Sequence, residues 1–169
     1  LFTFLLILAY VAFRFQWKFA VGAIISLIHD VVVTMGILSF FQITFDLTVL
    51  AAVLAIIGYS LNDTIVVFDR VRENFRLLRK ASLIENINIS TTQTLLRTIA
   101  TSVSTLLAIV ALWVFGGDNL EGFSIALFVG VLAGTYSSIY IANVVLIWLN
   151  LTTEDLIPPV VAEKVDDRP

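Results

Sequence analysis

Cysteine is absent, histidine occurs once, and the 169 residues include only three prolines and one methionine. Without thiols there is no disulfide framework and no thiolate metal site. A single histidine removes the usual base of hydrolytic triads, and the chain has no Gly-rich phosphate loop and no nucleophile beside a base. Charge is scarce as well: Asp, Glu, Lys and Arg make up 14% of the residues and the net charge is -3, which offers no basic surface to nucleic acid. What fills the chain is apolar. The hydrophobic share is 59% and the mean hydropathy is +1.00, against roughly 45–50% apolar residues in an ordinary soluble domain. The surplus must face lipid, so the sequence reads as a non-enzymatic integral membrane protein with no cofactor.

The apolar runs specify an all-α, polytopic transmembrane helix bundle. A span needs about 20 apolar residues, and residues 19–41, 47–68, 91–115 and 122–149 qualify. The run 1–13 is too short and starts without a cap or a charged flank, so it reads as the end of a truncated helix. Residues 69–90 read as an amphipathic connection, with Val71, Phe75 and Leu78 opposite Arg72, Arg76 and Arg79. Ser82 with Glu85 fits a capping box, and Ser90 with Gln93 fits another that would start the next span near Thr91. Residues 150–169, with Pro158, Pro159 and Pro169, have no apolar period and read as a disordered tail.

One sign of charge is missing from alternate connections. All ten basic residues lie in residues 14–18, 70–97 and 164–168, and the turns 42–46 and 116–121 contain none. The positive-inside rule then places residues 69–90 and the C-terminus in the cytoplasm.

Polar residues inside the spans carry the functional argument, because an ionisable group there costs several kcal/mol unless it is paired or wetted. Asp63, with Asn62 beside it, interrupts the apolar run 47–68, roughly 8 Å from its cytoplasmic end at about 1.5 Å per residue. Arg97 is its candidate partner. A change in their separation or in local hydration would change the protonation state Asp63 holds, which makes the pair a candidate proton-coupling device. The alternatives are a structural carboxylate at Asp63 and a snorkelling side chain at Arg97. His29 and Asp30 read either as a structural hydrogen-bonded pair or as a relay. Thr94, Thr98, Thr101 and Thr105 are spaced by four, three and four, with Arg97, Thr101 and Ser104 on an overlapping face, a hydroxyl-rich stripe that suits helix contact or a thin file of water. Small residues at four-residue spacing mark packing faces: Gly22, Ser26, Asp30 and Thr34; Ala51, Ala55, Gly58 and Asn62; and Ala126, Gly130, Gly134, Ser138 and Ala142.

The stretch Gly58-Tyr-Ser-Leu-Asn-Asp-Thr-Ile-Val-Val-Phe-Asp-Arg-Val-Arg-Glu-Asn74 resembles the signature of the SecF side of the SecD/SecF protein-export family. His29-Asp30, Thr92-Gln-Thr-Leu95 before Arg97-Thr98, Phe115-Gly-Gly117 and Leu120-Glu-Gly-Phe-Ser124 add to the resemblance, which runs from about Ser26 to Ala142. It implies membership of the resistance-nodulation-division superfamily and the C-terminal half of a six-span, SecF-like transporter domain in a bacterial inner membrane. It further implies an accessory subunit of the Sec translocase that promotes export with SecD on proton-motive force. The implied partners are SecD, the SecYEG translocon, membrane lipids and the translocating polypeptide, with YajC and YidC as further candidates. On this resemblance Asp63 binds the proton and Arg97 modulates it. A related exporter of small molecules or lipids, or a structural membrane scaffold, are the alternative functions.

Overall fold

A computed structural model describes residues 17–78 and 81–152. The expected half-span 1–13 and most of the tail 150–169 lie outside the described residues. Five α-helices and one 3-10 turn follow in order: α1 Trp17–Phe40, α2 Leu47–Leu77, α3 Leu83–Phe115, the turn Asp118–Leu120, α4 Glu121–Ile139 and α5 Ile141–Trp148. No strand occurs among the described residues. α1, α2 and α3 are each long and apolar enough to cross a membrane, and so is the stretch from the turn through α5, which gives four candidate spans.

Local chemistry sets the helix ends. Asp46 caps α2 by accepting from the backbone N–H of Val49 at 2.8 Å and from the Thr48 hydroxyl at 2.7 Å. The backbone N–H of Val49 and then the Thr48 hydroxyl hold its carboxyl below the usual value of 3.8, since both bonds favour the charged form. α2 has 31 residues, about 46 Å at 1.5 Å each, whereas the hydrocarbon layer is about 30 Å thick. Its last turns, with Arg70, Arg72 and Arg76, therefore extend beyond the apolar layer.

The connection after α2 is shorter than expected. Ser82 caps α3, accepting from Glu85 N–H at 3.3 Å, and α3 then runs unbroken for 33 residues. The expected second start at Ser90 does not form. Its hydroxyl donates backward to the Asn86 carbonyl at 2.7 Å, and Thr91 and Thr92 do the same to Ile87 and Asn88. No glycine or proline interrupts this stretch, so a hydroxyl that would cap a new helix serves an existing one. Arg97 thus lies about four turns into α3, not two.

The turn after α3 uses Gly117 in the left-handed region at φ 73°, a conformation that Gln42 and Asn150 also adopt, at 56° and 46°. The expected single span 122–149 is broken at Tyr140, between α4 and α5. Side chains compete with the backbone ladder here: the Ser137 and Ser138 hydroxyls donate to the carbonyls of Gly134 and Thr135, and Asn143 Nδ2 donates to that of Ile139 at 2.7 Å.

α4 packs against α1, α2 and α3, and most extensively against α2. Gly130 and Gly134 make this approach possible: a Cβ at Gly130 would overlap Ile56, and one at Gly134 would lie 3.1 Å from Ser60 Cβ. Apolar clusters lie toward each end of the bundle. One contains Phe19, Leu27, Leu61, Val67, Phe68, Val71 and Leu146, with Phe19 edge-on to Phe68; the other contains Leu38, Val49, Ala52 and Ala126. Lys18 Nζ donates to the Asn150 carbonyl at 2.9 Å, which ties the start of α1 to the end of α5 at the Arg70–Arg76 end.

Candidate functional site

Two buried aspartates occupy the bundle interior. Asp30, on α1, is 1% exposed and lies in the gap between the apolar clusters. Its Oδ2 accepts from the hydroxyls of Ser60 on α2 and Ser137 on α4, the latter at 2.8 Å, and its Oδ1 is 3.1 Å from His29 Nδ1. Three helices therefore converge on one carboxylate. His29 reaches outward from this knot, with its side chain 30% exposed and its ring 6.3 Å from that of Tyr136.

Asp63, on α2, is 4% exposed, and its Oδ2 has no hydrogen-bond partner among the described residues. Arg97 stands one residue before Thr98 on the neighbouring α3, yet it and Asp63 form no direct ion pair among the described residues. Arg97 lies on the exposed side of α3. The level at which they meet follows from two contacts: Tyr59 O–H donates to Ser102 Oγ at 3.2 Å, and Asn74 Nδ2 donates to Ser90 Oγ at 2.8 Å. These fix the antiparallel register of α2 and α3, and Asp63, one turn beyond Tyr59, falls opposite Thr98, one turn before Ser102.

Several expected neighbours lie elsewhere. Asn62 is exposed, as are Ala51, Ala55 and Gly58 along the same face, and a Cβ at Gly58 would meet nothing within 4 Å. No packing partner for this stripe lies among the described residues, and the opposite face of α2 holds the buried Ile56, Ser60, Asp63 and Val67. Thr101 is half-buried and donates to the carbonyls of Arg97 and Thr98. Of the expected hydroxyl stripe on α3, Thr94 and Thr98 turn inward, Thr105 is half-buried like Thr101, and Ser104 is exposed. The inward face continues the first two in both directions, as Asn86, Ser90, Thr94, Thr98 and Ser102, all buried. Gly130, Gly134 and Ser138 are all buried. Sequence reasoning did not single out Ser60 or Ser137 as partners of Asp30. The usable signal was that a buried carboxylate needs donors, and serines at matching depth in neighbouring spans are the candidates.

The family description "Protein export membrane protein SecD/SecF, C-terminal" matches residues 1–152. The chain belongs to the SecD/SecF family. It is 82% identical over 163 residues to a Protein translocase subunit SecF from Pseudomonas aeruginosa, covering 96% of this chain and 53% of that protein. A SecF subunit from Haemophilus influenzae is 51% identical over 99% of this chain and 51% of its own length. The chain thus spans about half the length of the curated SecF relatives it matches. The crystal structure of SecDF from Thermus thermophilus, titled a translocon-associated membrane protein, superposes with a TM-score of 0.82 at 49% identity, covering 86% of this chain and 20% of that one. A second SecDF crystal structure, in a super-membrane-facing form, gives 0.81 at 50% identity over the same shares. The helical SecD/SecF membrane fold is therefore common to this chain and to SecDF.

Proposed function

We propose that this chain is the proton-coupling membrane portion of a SecF-type subunit, which works with SecD to drive protein export through the SecYEG channel across the bacterial inner membrane. The observation that carries the reading is the condition of Asp63: a buried carboxyl oxygen without a partner among the described residues, at the level of Arg97 on the neighbouring helix but not paired to it. A permanently paired or fully hydrogen-bonded carboxylate would have little reason to change state. An under-satisfied one responds to small changes in hydration and in the position of a nearby charge.

Arg97 is well placed to make that change. Only 17% of the most apolar stretch of α3 is buried, against 39–44% in the other spans, so most of α3 is open to a neighbour. The homologous SecD half is the natural occupant, and its movement would shift Arg97 relative to Asp63. The uncovered Gly58–Asn62 face would serve the same assembly. The basic end faces the cytoplasm in this reading, with Trp17 and Trp148 exposed at the interface as aromatic anchors. One charge crossing 100 mV supplies about 2.3 kcal/mol, so a few protons per cycle suffice to bias a moving domain.

The test is the export rate of a presecretory protein by the full-length subunit with its SecD partner, with and without a proton gradient. Asp63→Asn keeps size and hydrogen bonding but removes titration. Loss of the gradient-dependent part of export, with insertion and SecD association intact, supports the reading. A full gradient response in Asp63→Asn would show that the carboxylate is structural.

A further inference from the structure

The turn of α2 just before Asp63 is held by three other helices. The Ser60 hydroxyl donates to Asp30 Oδ2 on α1, and the same oxygen accepts from Ser137 of α4 at 2.8 Å. α4 also closes directly on Ser60, since a Cβ at Gly134 would lie 3.1 Å from Ser60 Cβ. Tyr59 O–H donates to Ser102 Oγ of α3, which is in turn 2.7 Å from Thr135 Oγ1 of α4. Asp30, Ser60 and Ser137 are at most 1% exposed, so the bonds between them face little competition from water.

Beyond Asp63 the hold changes in kind. Among the described residues, the next side chain of α2 hydrogen-bonded to another helix is Asn74, about 16 Å past Asp63 at 1.5 Å per residue. Between the two, α2 is held by Val67, Phe68 and Val71 in the apolar cluster. Apolar contact is non-directional, so it opposes separation of the helices more than it opposes a turn about the helix axis.

Asp63 is sensitive to such a turn. At about 100° per residue, Asp63 stands roughly 60° around α2 from Ser60, whereas Asn62 stands roughly 160° from it and is exposed. Turning α2 would carry the Asp63 carboxyl from its place opposite Thr98 and change its distance from Arg97. Other ionisable groups are few here. α1 brings Asp30 and His29 on the Ser60 side, α2 itself brings Tyr59, α4 carries Tyr136 beside His29 and Glu121 at its far end, and α5 has none.

We propose that Asp30 is a positioning residue for Asp63: by holding Ser60, one turn away, it fixes the rotation of α2 that keeps the Asp63 carboxyl facing α3 and apart from Arg97. The use of that placement in export rests on the coupling role given to Asp63 above; the placement itself rests on the contacts of Ser60.

Two substitutions separate the contact from the charge. Ser60→Ala removes the contact and keeps both carboxylates. Asp30→Asn removes a charge but leaves an amide oxygen that accepts from both serines. Each is made in the full-length subunit assembled with SecD in membrane vesicles, beside Leu38→Ala, which empties part of the other apolar cluster. Two quantities are read: the pH at which gradient-driven export is half-maximal, and the rate at which dicyclohexylcarbodiimide, a lipid-soluble carboxyl reagent, labels Asp63 without a gradient, followed by peptide mass. Ser60→Ala should move the first by at least half a unit and the second at least threefold, with Asp30→Asn and Leu38→Ala near the parent on both. No change in Ser60→Ala would overturn the proposal, and so would a shift confined to Asp30→Asn, which would mark a charge effect. Should Ser60→Ala fail to insert, Ser60→Cys keeps a small side chain with a weaker donor and is read the same way. Altered labelling in Ser60→Ala alongside a normal gradient response in Asp63→Asn would leave the positioning standing and remove the coupling role.

Discussion

Asp30 and Asp63 are the same residue type, buried to nearly the same degree in neighbouring helices, and they differ in company. Asp30 accepts from two serines on two other helices and lies beside its own histidine. Asp63 has an oxygen with no partner among the described residues, and Arg97 at its level on α3 makes no ion pair with it. A carboxylate with every acceptor engaged fixes geometry, because any change of state breaks several bonds together. One with acceptors to spare can change state and keep its surroundings. The first is suited to holding α1, α2 and α4 in register, the second to work.

That contrast can be broken by exchanging the consequences of mutation. Asp30→Ala leaves the buried Ser60 hydroxyl without its acceptor, leaves Ser137 only the Gly134 carbonyl, and opens a hole among three helices; it should lower bundle stability by about 2–4 kcal/mol, measured by reversible unfolding in detergent. Asp63→Asn should change stability by less than about 1 kcal/mol while removing gradient-dependent export. If Asp63→Asn unfolds the bundle and Asp30→Ala does not, the two roles are reversed.

Next in size is the contact that brings Ser60 and Ser137 to Asp30. Gly130→Ala drives a methyl into Ile56 and should cost about 1–3 kcal/mol, partly recovered by Ile56→Val in the same unfolding assay. Gly58→Ala meets open space, so it should leave the isolated chain's stability unchanged and weaken only association with SecD, read by co-purification. His29→Gln removes one partly exposed bond to Asp30, worth roughly 0.6 kcal/mol, and should leave the Ser60 and Ser137 contacts to Asp30 in place.

The smallest effect concerns a carboxylate outside the membrane layer. The Asp46 carboxyl is held below 3.8 by the Val49 N–H and the Thr48 hydroxyl, so its stabilising contribution is present above that value and fades as pH falls through the lower, folded one. Asp46→Asn retains a capping oxygen and should remove this acid-side dependence, measured as the slope of melting temperature against pH.

The membrane class and the positions of the four apolar stretches were legible because a bilayer demands runs of a set length. Asp63 and Arg97 stood out as candidates because charge within a span is rare, while the absence of a direct ion pair between them was not readable from the sequence. Asp30 was visible too, but its weight was not. Its partners Ser60 and Ser137 stand 30 and 107 residues away, and serine in a span is common enough to pass as packing. The inward stripe of α3 was legible only in part, at Thr94 and Thr98, and was run on to Thr101, Thr105 and Ser104, because hydroxyls recur on both faces and no apolar period remains to say which side is buried. The extra start at Ser90 failed for a related reason: a capping signature describes a side chain's ability to reach backward, and an unbroken helix uses that same ability.

By itself, the sequence determined that this chain spans a membrane, which end carries its positive charge, and which two charged residues within the spans invite explanation. Those follow from transfer energies that act residue by residue and need no knowledge of neighbours. Only the tertiary structure decided which carboxylate is satisfied and which is left wanting, which small face meets a helix within the chain and which is left uncovered, and that the α2 hydroxyl held by Asp30 stands one turn from Asp63. Hydrogen-bond satisfaction belongs to pairs of groups on separate helices, and the packing of those helices brings the pairs together.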